Sequence, residues 1–308
     1  MKNKIILGVE GTLFNARLLE KDFILIEPDV RIENNEVKTN FDFYLCMDSE
    51  PNRKLRGIIG QGMVEHFGTN RFSKPIQSLI LKKLNIPTPK IYASVISKKD
   101  HCQGLDQVVL QSLDDDVEVL VKSNNGAKGL GQAIITRQKI FDLYEEIGGS
   151  YNETKLESIN ENYRPGGDES KNNEYKSYFY DTIRGHDYHF AELKNKDEEY
   201  RIIALYGSDP IIIQRKVSKQ HWQSNSAITN EGIFIKKHPK VKEFKQISDK
   251  LLSHLKTPWL SIDVYISDKG EIGVFEFQME FGFKKVPKKL LVDSINNAVH
   301  NYIKKELL

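Results

Sequence analysis

Residues 117–136 read Val-Glu-Val-Leu-Val-Lys-Ser-Asn-Asn-Gly-Ala-Lys-Gly-Leu-Gly-Gln-Ala-Ile-Ile-Thr, and this stretch decides the fold. The apolar run Val117 to Val121 delivers Lys122 at its end, and a loop with Gly126, Gly129 and Gly131 follows at once. Lacking a Cβ, those glycines let the backbone turn sharply and bring N–H groups up to an anion. Lys122 adds positive charge at the edge of that cradle. Lys128, inside the loop, either touches a phosphate or is solvated. The chain then returns to an apolar run, Gln132 to Thr136, so the pattern predicts a β-hairpin rather than a strand followed by a helix. A Walker-type loop needs a helix start and Gly-Lys-Ser/Thr in order; neither is present. The stretch therefore reads as a phosphate clamp held on a hairpin. Glycine-rich hairpins that bind no ligand share the pattern, and on these residues alone both readings stay open.

Before this hairpin, Ser73 is positioned to cap a helix, and Pro75 sits where a missing N–H is harmless. Ile76, Leu79, Ile80 and Leu84 fall on one face of that helix, which Pro87 and Pro89 stop. Ile91 to Ile96 resumes as a strand. Short apolar runs at Ile5–Leu7, Phe23–Ile26 and Phe41–Leu45 suit buried strands of a small α/β lobe over residues 1–68. A central lobe is expected over 69–187, with a short helix at 140–147. A tract at about 148–185, rich in Asn, Glu, Lys, Tyr and Gly, is either a lid or an insertion without function. A C-terminal lobe is expected over 188–308. It opens with a hairpin, Tyr200–Tyr206 and Ile211–Lys216, around Gly207-Ser208-Asp209-Pro210. Amphipathic helices follow at Val241–Leu255 and at about 288–306.

Between those helices lies a second hairpin, Trp259–Ile266 and Ile272–Phe277, turning at Asp268-Lys269-Gly270. Asp263 is on its first strand; Glu276 and Gln278 share a face of the second. Carboxylates in otherwise apolar strands are costly unless a cation or a basic side chain compensates them. Mg²⁺ prefers hard oxygen ligands of this kind. A solvated strand face would show the same alternation.

Lys+Arg of 45 against Asp+Glu of 43 leaves a formal charge of +2, so no global field draws the chain to nucleic acid or an anionic membrane. Two cysteines, Cys46 and Cys102, are too few for a disulfide framework and have no metal-ligand spacing, which points to a reducing cytoplasm. No apolar run reaches the length of a membrane span.

Six motifs in this order resemble the ATP-grasp superfamily, and within it the ribosomal-protein glutamate ligases and related carboxylate–amine ligases. Ser73-Lys74 with the segment to Pro87 is similar to that family's Asp-Lys, helix, Gly-Ile-x-Pro segment. Val121-Lys122-x-x-x-Gly126-x-x-Gly129-x-Gly131 matches its lysine and glycine spacing. Tyr200-Arg201-Ile202-Ile203 resembles the Asp-Ile-Arg strand. Gln214-Arg215-Lys216 with Trp222-Gln223-Ser224-Asn225 resembles the segment ending in Phe-Arg-Ser-Asn. Ser261-Ile262-Asp263 and Phe275-Glu276-Phe277-Gln278 through Gly282-Phe283 resemble Val-Asp and Glu-Val-Asn-x-x-Pro-Gly-Phe. Gln278 stands where Asn is usual, and Phe281 replaces the proline.

The resemblance implies an α/β chain of α+β lobes in which a small N-terminal lobe precedes two lobes clasping ATP. It implies that Lys74 and Lys122 contact phosphates while the loop carrying Gly126, Lys128, Gly129 and Gly131 closes over them, with Asn225 joining the nucleotide site. Glu192 and Leu193 would meet the adenine edge, with Tyr180-Asp181-Thr182-Ile183 as a rival. Asp263, Glu276 and Gln278 would hold Mg²⁺, or Mn²⁺ in its place. Arg215, with Arg201, would stabilise an acyl phosphate and the oxyanion that follows. The implied activity joins a small-molecule or peptide carboxylate to an amine, releasing ADP and phosphate. A module of the same fold that binds nucleotide as a structural or regulatory partner is the alternative, and kinase-like phosphoryl transfer a third reading.

Overall fold

The computed structural model of the chain describes residues 4–10, 16–33, 36–46, 66–68, 72–96, 113–114, 116–124, 133–137, 187–215, 232–279 and 285–308. The glycine loop, the expected helix at 140–147 and the tract at 148–185 lie outside the described residues. So do Tyr180–Ile183, the segment from Lys216 to Asn225, and Gly282-Phe283.

Three sheets organise these residues. The first is parallel: β1 (Ile5–Glu10) lies between β2 (Phe23–Ile26) and β5 (Phe43–Cys46), with β6 (His66–Gly68) outside β5. A parallel sheet is covered on both faces, and Leu7, Phe23, Tyr44 and Leu45 are accordingly buried. A small hairpin, β3 (Val30–Glu33) and β4 (Glu36–Thr39), projects between β2 and β5.

Helix α1 (Lys74–Lys83) connects to the second sheet, in which β7 (Ile91–Ile96), β10 (Asp187–Glu192), β8 (Glu118–Ser123) and β9 (Ala133–Thr136) stand side by side, all antiparallel. The strands β8 and β9 form a hairpin about the glycine loop. Because β10 pairs inside this sheet, the third lobe's own sheet begins only at Glu198.

That third sheet is antiparallel in the order β13 (Gly232–Ile235), β12 (Ile211–Arg215), β11 (Glu198–Leu205), β14 (Trp259–Ile266) and β15 (Ile272–Gln278). Strand alternation gives it two unlike faces. Tyr200, Ile202, Ala204, Leu260, Ile262, Val264, Val274 and Phe277 form the buried apolar face. Helix α2 (Val241–Leu255) supplies Phe244, Leu251 and Leu252 to the core, and α3 (Lys288–Tyr302) supplies Leu291, Ile295, Ala298, Val299 and Tyr302.

Helix α3 also ties the third sheet to the first. Asn296 donates to the Leu18 carbonyl at 2.7 Å, His300 stacks on Phe23 at 4.5 Å, and Lys21 pairs with Asp293. Leu7, Leu45, Ile203, Trp259 and Ile295 belong to one continuous apolar core. The buried residues of the second sheet, among them Val119, Val121, Ile135, Tyr188 and Phe190, are not part of it.

Helix α1 corrects the sequence expectation. Ile76 and Leu79 are exposed, 46% and 64%, while Gln77, Ser78 and Leu81 face inward; Ile80 and Leu84 are half-buried. The reason is the edge of β15. Gln77 accepts from the Phe277 N–H at 2.9 Å and donates to the Phe72 carbonyl at 2.9 Å. A buried amide thereby satisfies an open sheet edge, and the polar residue takes the inward place that a hydrophobic stripe was expected to fill. Ser73 stands at the N-cap, but its side chain makes no capping bond.

Candidate functional site

On the face of the third sheet away from α2 and α3, cross-strand pairing lines up polar residues. Arg201 lies opposite Asp263, and Asp263 opposite Glu276. One step along, Arg215 lies opposite Glu199, Glu199 opposite Tyr265, and Tyr265 opposite Gly273. Gln278 faces Ser261. Side chains two apart on a strand share a face, so Glu199 with Arg201, and Asp263 with Tyr265, stand together.

The register shifts between Asp263 and Val264, so that Phe275 is the extra residue of a bulge in β15. Both Phe275 and Glu276 are consequently half-exposed next to each other. The Phe275 ring leans on Tyr265 at 4.5 Å. Beneath that tyrosine only glycine fits: a Cβ at Gly273 would lie 2.3 Å from the Tyr265 Cζ and hydroxyl.

Arg201 grips Asp263 with two bonds, 2.8 Å from Nε and 3.0 Å from Nη2. Arg215 reaches both Asp263 oxygens at 3.0 Å through Nη2 and Glu199 at 2.7 Å through Nη1. Lys196 pairs with the other oxygen of Glu199. The result is an alternating chain of charge, Lys196–Glu199–Arg215–Asp263–Arg201. Burial pushes the Asp263 carboxyl up, but the two guanidinium groups outweigh it and hold the pKa below the usual carboxylate range.

The second sheet meets this face with Lys122 on β8. The Lys122 ammonium lies 5.6 Å from the Phe275 ring centroid, and the Lys196 ammonium 5.2 Å from the same ring. Lys74, at the start of α1, completes the junction: its N–H donates to the Asn124 carbonyl at 3.0 Å, and its ammonium is 3.7 Å from Glu276. Lys122 and Glu276 therefore meet at one junction. Burial lowers the Lys122 pKa to about 8, helped by the charge of Lys74 and opposed by Glu276. His189 on β10 pairs with Lys122 on β8 and is buried, its Nδ1 2.9 Å from Asn124 Oδ1. Its pKa falls well below 6.5, first through burial and then through Lys122 and Lys74, so the ring is neutral.

Glu192 and Leu193 sit where β10 leaves for the third sheet. The Glu192 carboxylate accepts from the Lys90 N–H at 3.0 Å and pairs with Lys194 at 2.7 Å. Lys74, Lys122, Arg201, Arg215, Asp263 and Glu276 are thus gathered at one junction, and Glu192 and Leu193 lie at the crossover between its two walls. Gly126, Lys128, Gly129, Gly131 and Asn225 lie outside the described residues.

Among the described residues, no three His, Cys, Asp or Glu side chains form a metal cluster, and no helix is long and apolar enough to cross a membrane. Glu276 and exposed Gln278 share one face of β15 and offer hard oxygens suited to a divalent cation. Asp263, the third expected ligand, has both oxygens engaged by guanidinium groups. The donor set fits such a cation through Glu276 and Gln278, with Asp263 available only as an arginine is released.

Sequence reasoning passed over Glu199, Lys196 and Phe275. Glu199 was findable, two residues before Arg201 on one strand. Phe275 was not, because the bulge breaks the alternation that would have turned it away. Lys196 sits in the charged run Lys194–Glu199, which reads as solvated surface.

No family profile matches the chain, and no curated protein matches it in sequence. Solved structures do. D-alanine–D-alanine ligase from Bacillus anthracis superposes with a TM-score of 0.53 at 15% identity, covering 99% of this chain and 98% of that one. A RiPP-associated ATP-grasp ligase from Chryseobacterium gregarium, in complex with ADP and a leader and core peptide, gives 0.52 at 13%, covering 97% of each chain. N5-carboxyaminoimidazole synthetase from Staphylococcus aureus complexed with ADP gives 0.53 at 10%, covering 97% of this chain and 78% of that one.

Proposed function

The chain has the ATP-grasp fold, and from it we propose an ATP-dependent carboxylate–amine ligase acting in the cytoplasm, where ATP is supplied. The observation that carries this reading is the convergence of Lys74, Lys122 and Glu276 beside Arg201 and Arg215. Among the described residues, five cations, Lys74, Lys122, Lys196, Arg201 and Arg215, meet three carboxylates, Glu199, Asp263 and Glu276. Such an excess in a partly buried cleft calls for a polyanion.

ATP lies between the second and third sheets, with Glu192 and Leu193 at its adenine edge. Lys74 and Lys122 hold its phosphates, with Gly126, Lys128, Gly129, Gly131 and Asn225 as further candidate contacts. Glu276 and Gln278, with Asp263 joining once an arginine releases it, would hold Mg²⁺ or Mn²⁺. When bound, the cation neutralises charge on the phosphates. The substrate carboxylate attacks the γ-phosphorus, the bond to the β-phosphate oxygen breaks, and ADP leaves. Arg215 and Arg201 stabilise the acyl phosphate, then the oxyanion formed when the amine adds. Phosphate departs and an amide remains. Exclusion of water from the closed cleft preserves the acyl phosphate until the amine arrives. The acceptor is a small molecule or a peptide.

The test is calorimetry and turnover. ATP with Mg²⁺ should raise the melting temperature of the wild type, Lys122→Ala should remove the rise, and candidate carboxylate and amine pairs should yield ADP and phosphate. A wild-type protein indifferent to ATP with Mg²⁺ rules the proposal out. One observation favours a second reading, a non-catalytic nucleotide-binding module: the full engagement of Asp263 by arginines. ATP binding without turnover of any offered pair would support it.

A further inference from the structure

Lys196 lies on the segment that joins the second sheet to the third, and it is only 12% exposed as a side chain. Its ammonium and that of Lys122 both lie within 6 Å of the Phe275 ring, one arriving from the linker and one from β8. Glu199, its carboxylate partner, is buried and already holds Arg215 at 2.7 Å. Removing Lys196 would therefore leave Glu199 paired.

We propose that Lys196 is a third phosphate-binding lysine of the cleft, stored on Glu199 in the free protein and passed to the nucleotide's phosphates when they enter beside Phe275. This inference rests on the nucleotide reading above. Three features support it. A solvent-seeking ammonium is kept inside the cleft although the linker around it is hydrophilic. Among the described residues the cleft gathers Lys74, Lys122, Lys196, Arg201 and Arg215 around Glu199, Asp263 and Glu276, so an incoming polyanion meets concentrated positive charge. Finally, the Lys196 charge is one of those that depress Lys122, so both lysines gain when one anion approaches. An ammonium on a flexible stem can swing between a carboxylate and a phosphate with little backbone change.

Two measurements test it. In the first, binding of ATP with Mg²⁺ is titrated for the wild type, Lys196→Met and Lys242→Met. The last removes the same charge from the exposed side of α2. Lys196→Met should weaken binding about tenfold, as loss of one charge-assisted contact does. Lys242→Met should change it less than about twofold. Equal effects of the two substitutions would overturn the proposal. The second uses only the wild type: amine acylation of lysines is read by mass spectrometry with and without ATP and Mg²⁺. Protection of Lys196 alongside Lys122 is expected, and protection of Lys122 without Lys196 would overturn the inference while leaving the ligase reading standing. A wild type that binds no ATP removes both.

Discussion

The first and third sheets share one apolar core, whereas the described buried side chains of the second sheet lie outside it. The former pair is bolted through α3, by the Asn296 bond to Leu18 and the stack of His300 on Phe23. The second sheet reaches them through α1 and the segment 193–197. Among the described residues, the junction bonds include Lys74 N–H to the Asn124 carbonyl, and Val274 N–H to the Pro87 carbonyl on the connection from α1 into β7. The difference assigns the two walls of the cleft different mechanical roles. One wall, with Asp263, Glu276, Arg201 and Arg215, belongs to the large core. The other, with Lys122 and His189, stands on a sheet able to approach or withdraw.

Lys122→Met should produce the largest change, because it removes the response to ATP altogether as well as shifting stability. Holding the Lys122 pKa at about 8 rather than 10.5 costs on the order of 3 kcal/mol in the unliganded fold. The pKa is lowered, so that cost is fully present below about pH 8 and fades as pH rises toward 10.5. Differential scanning calorimetry at pH 7 should show Lys122→Met melting higher than wild type yet failing to respond to ATP. A lower melting point would mean that Lys122 supports the second sheet instead of waiting for a ligand.

Next in size is a contrast within the fixed wall. Asp263→Asn leaves part-buried Arg201 without a carboxylate and Arg215 with Glu199 alone, and should cost about 3–5 kcal/mol in urea unfolding. Glu276→Gln alters a half-exposed contact with Lys74 at 3.7 Å and should cost less than about 1 kcal/mol while abolishing turnover. If both substitutions destabilise alike, the alternating chain is not what organises that face.

Hydrogen exchange probes the division of the core itself. Ile135→Ala, in the second sheet, should open β8–β10 by about 2–4 kcal/mol without altering exchange in β11 and β14. Ile295→Ala should speed exchange in the first and third sheets together. Uniform acceleration by either variant would make the molecule one cooperative unit.

Smallest is the Asn296→Ala effect. Losing the bond to Leu18 should lower stability by about 1–2 kcal/mol, chiefly by exposing the seam between the first and third lobes. An unchanged midpoint would shift the weight of that seam onto the apolar contacts of α3.

The hairpin that carries Lys122 was readable because glycines and an alternating apolar pattern act locally. The pairing of Arg201, Asp263 and Glu276 across three strands was readable only as a possibility, since register is set by the whole sheet. Helix α1 was misread for a related reason: its inward face answers an open edge of β15, and no stripe of apolar residues announces a buried Gln77. Phe275 escaped because a bulge overrides alternation. Lys196 escaped because a charged linker looks the same whether it faces water or a cleft.

The floor beneath Phe275 has one further effect. Gly273 is not among the residues with a left-handed backbone; it is glycine because the Tyr265 ring occupies the volume where any side chain would begin. A saturation library at that codon would return glycine alone and invite the diagnosis of a turn, where the true constraint is clearance. Alanine there, rescued by shrinking residue 265 to leucine, would tell a crowded site from a bent one.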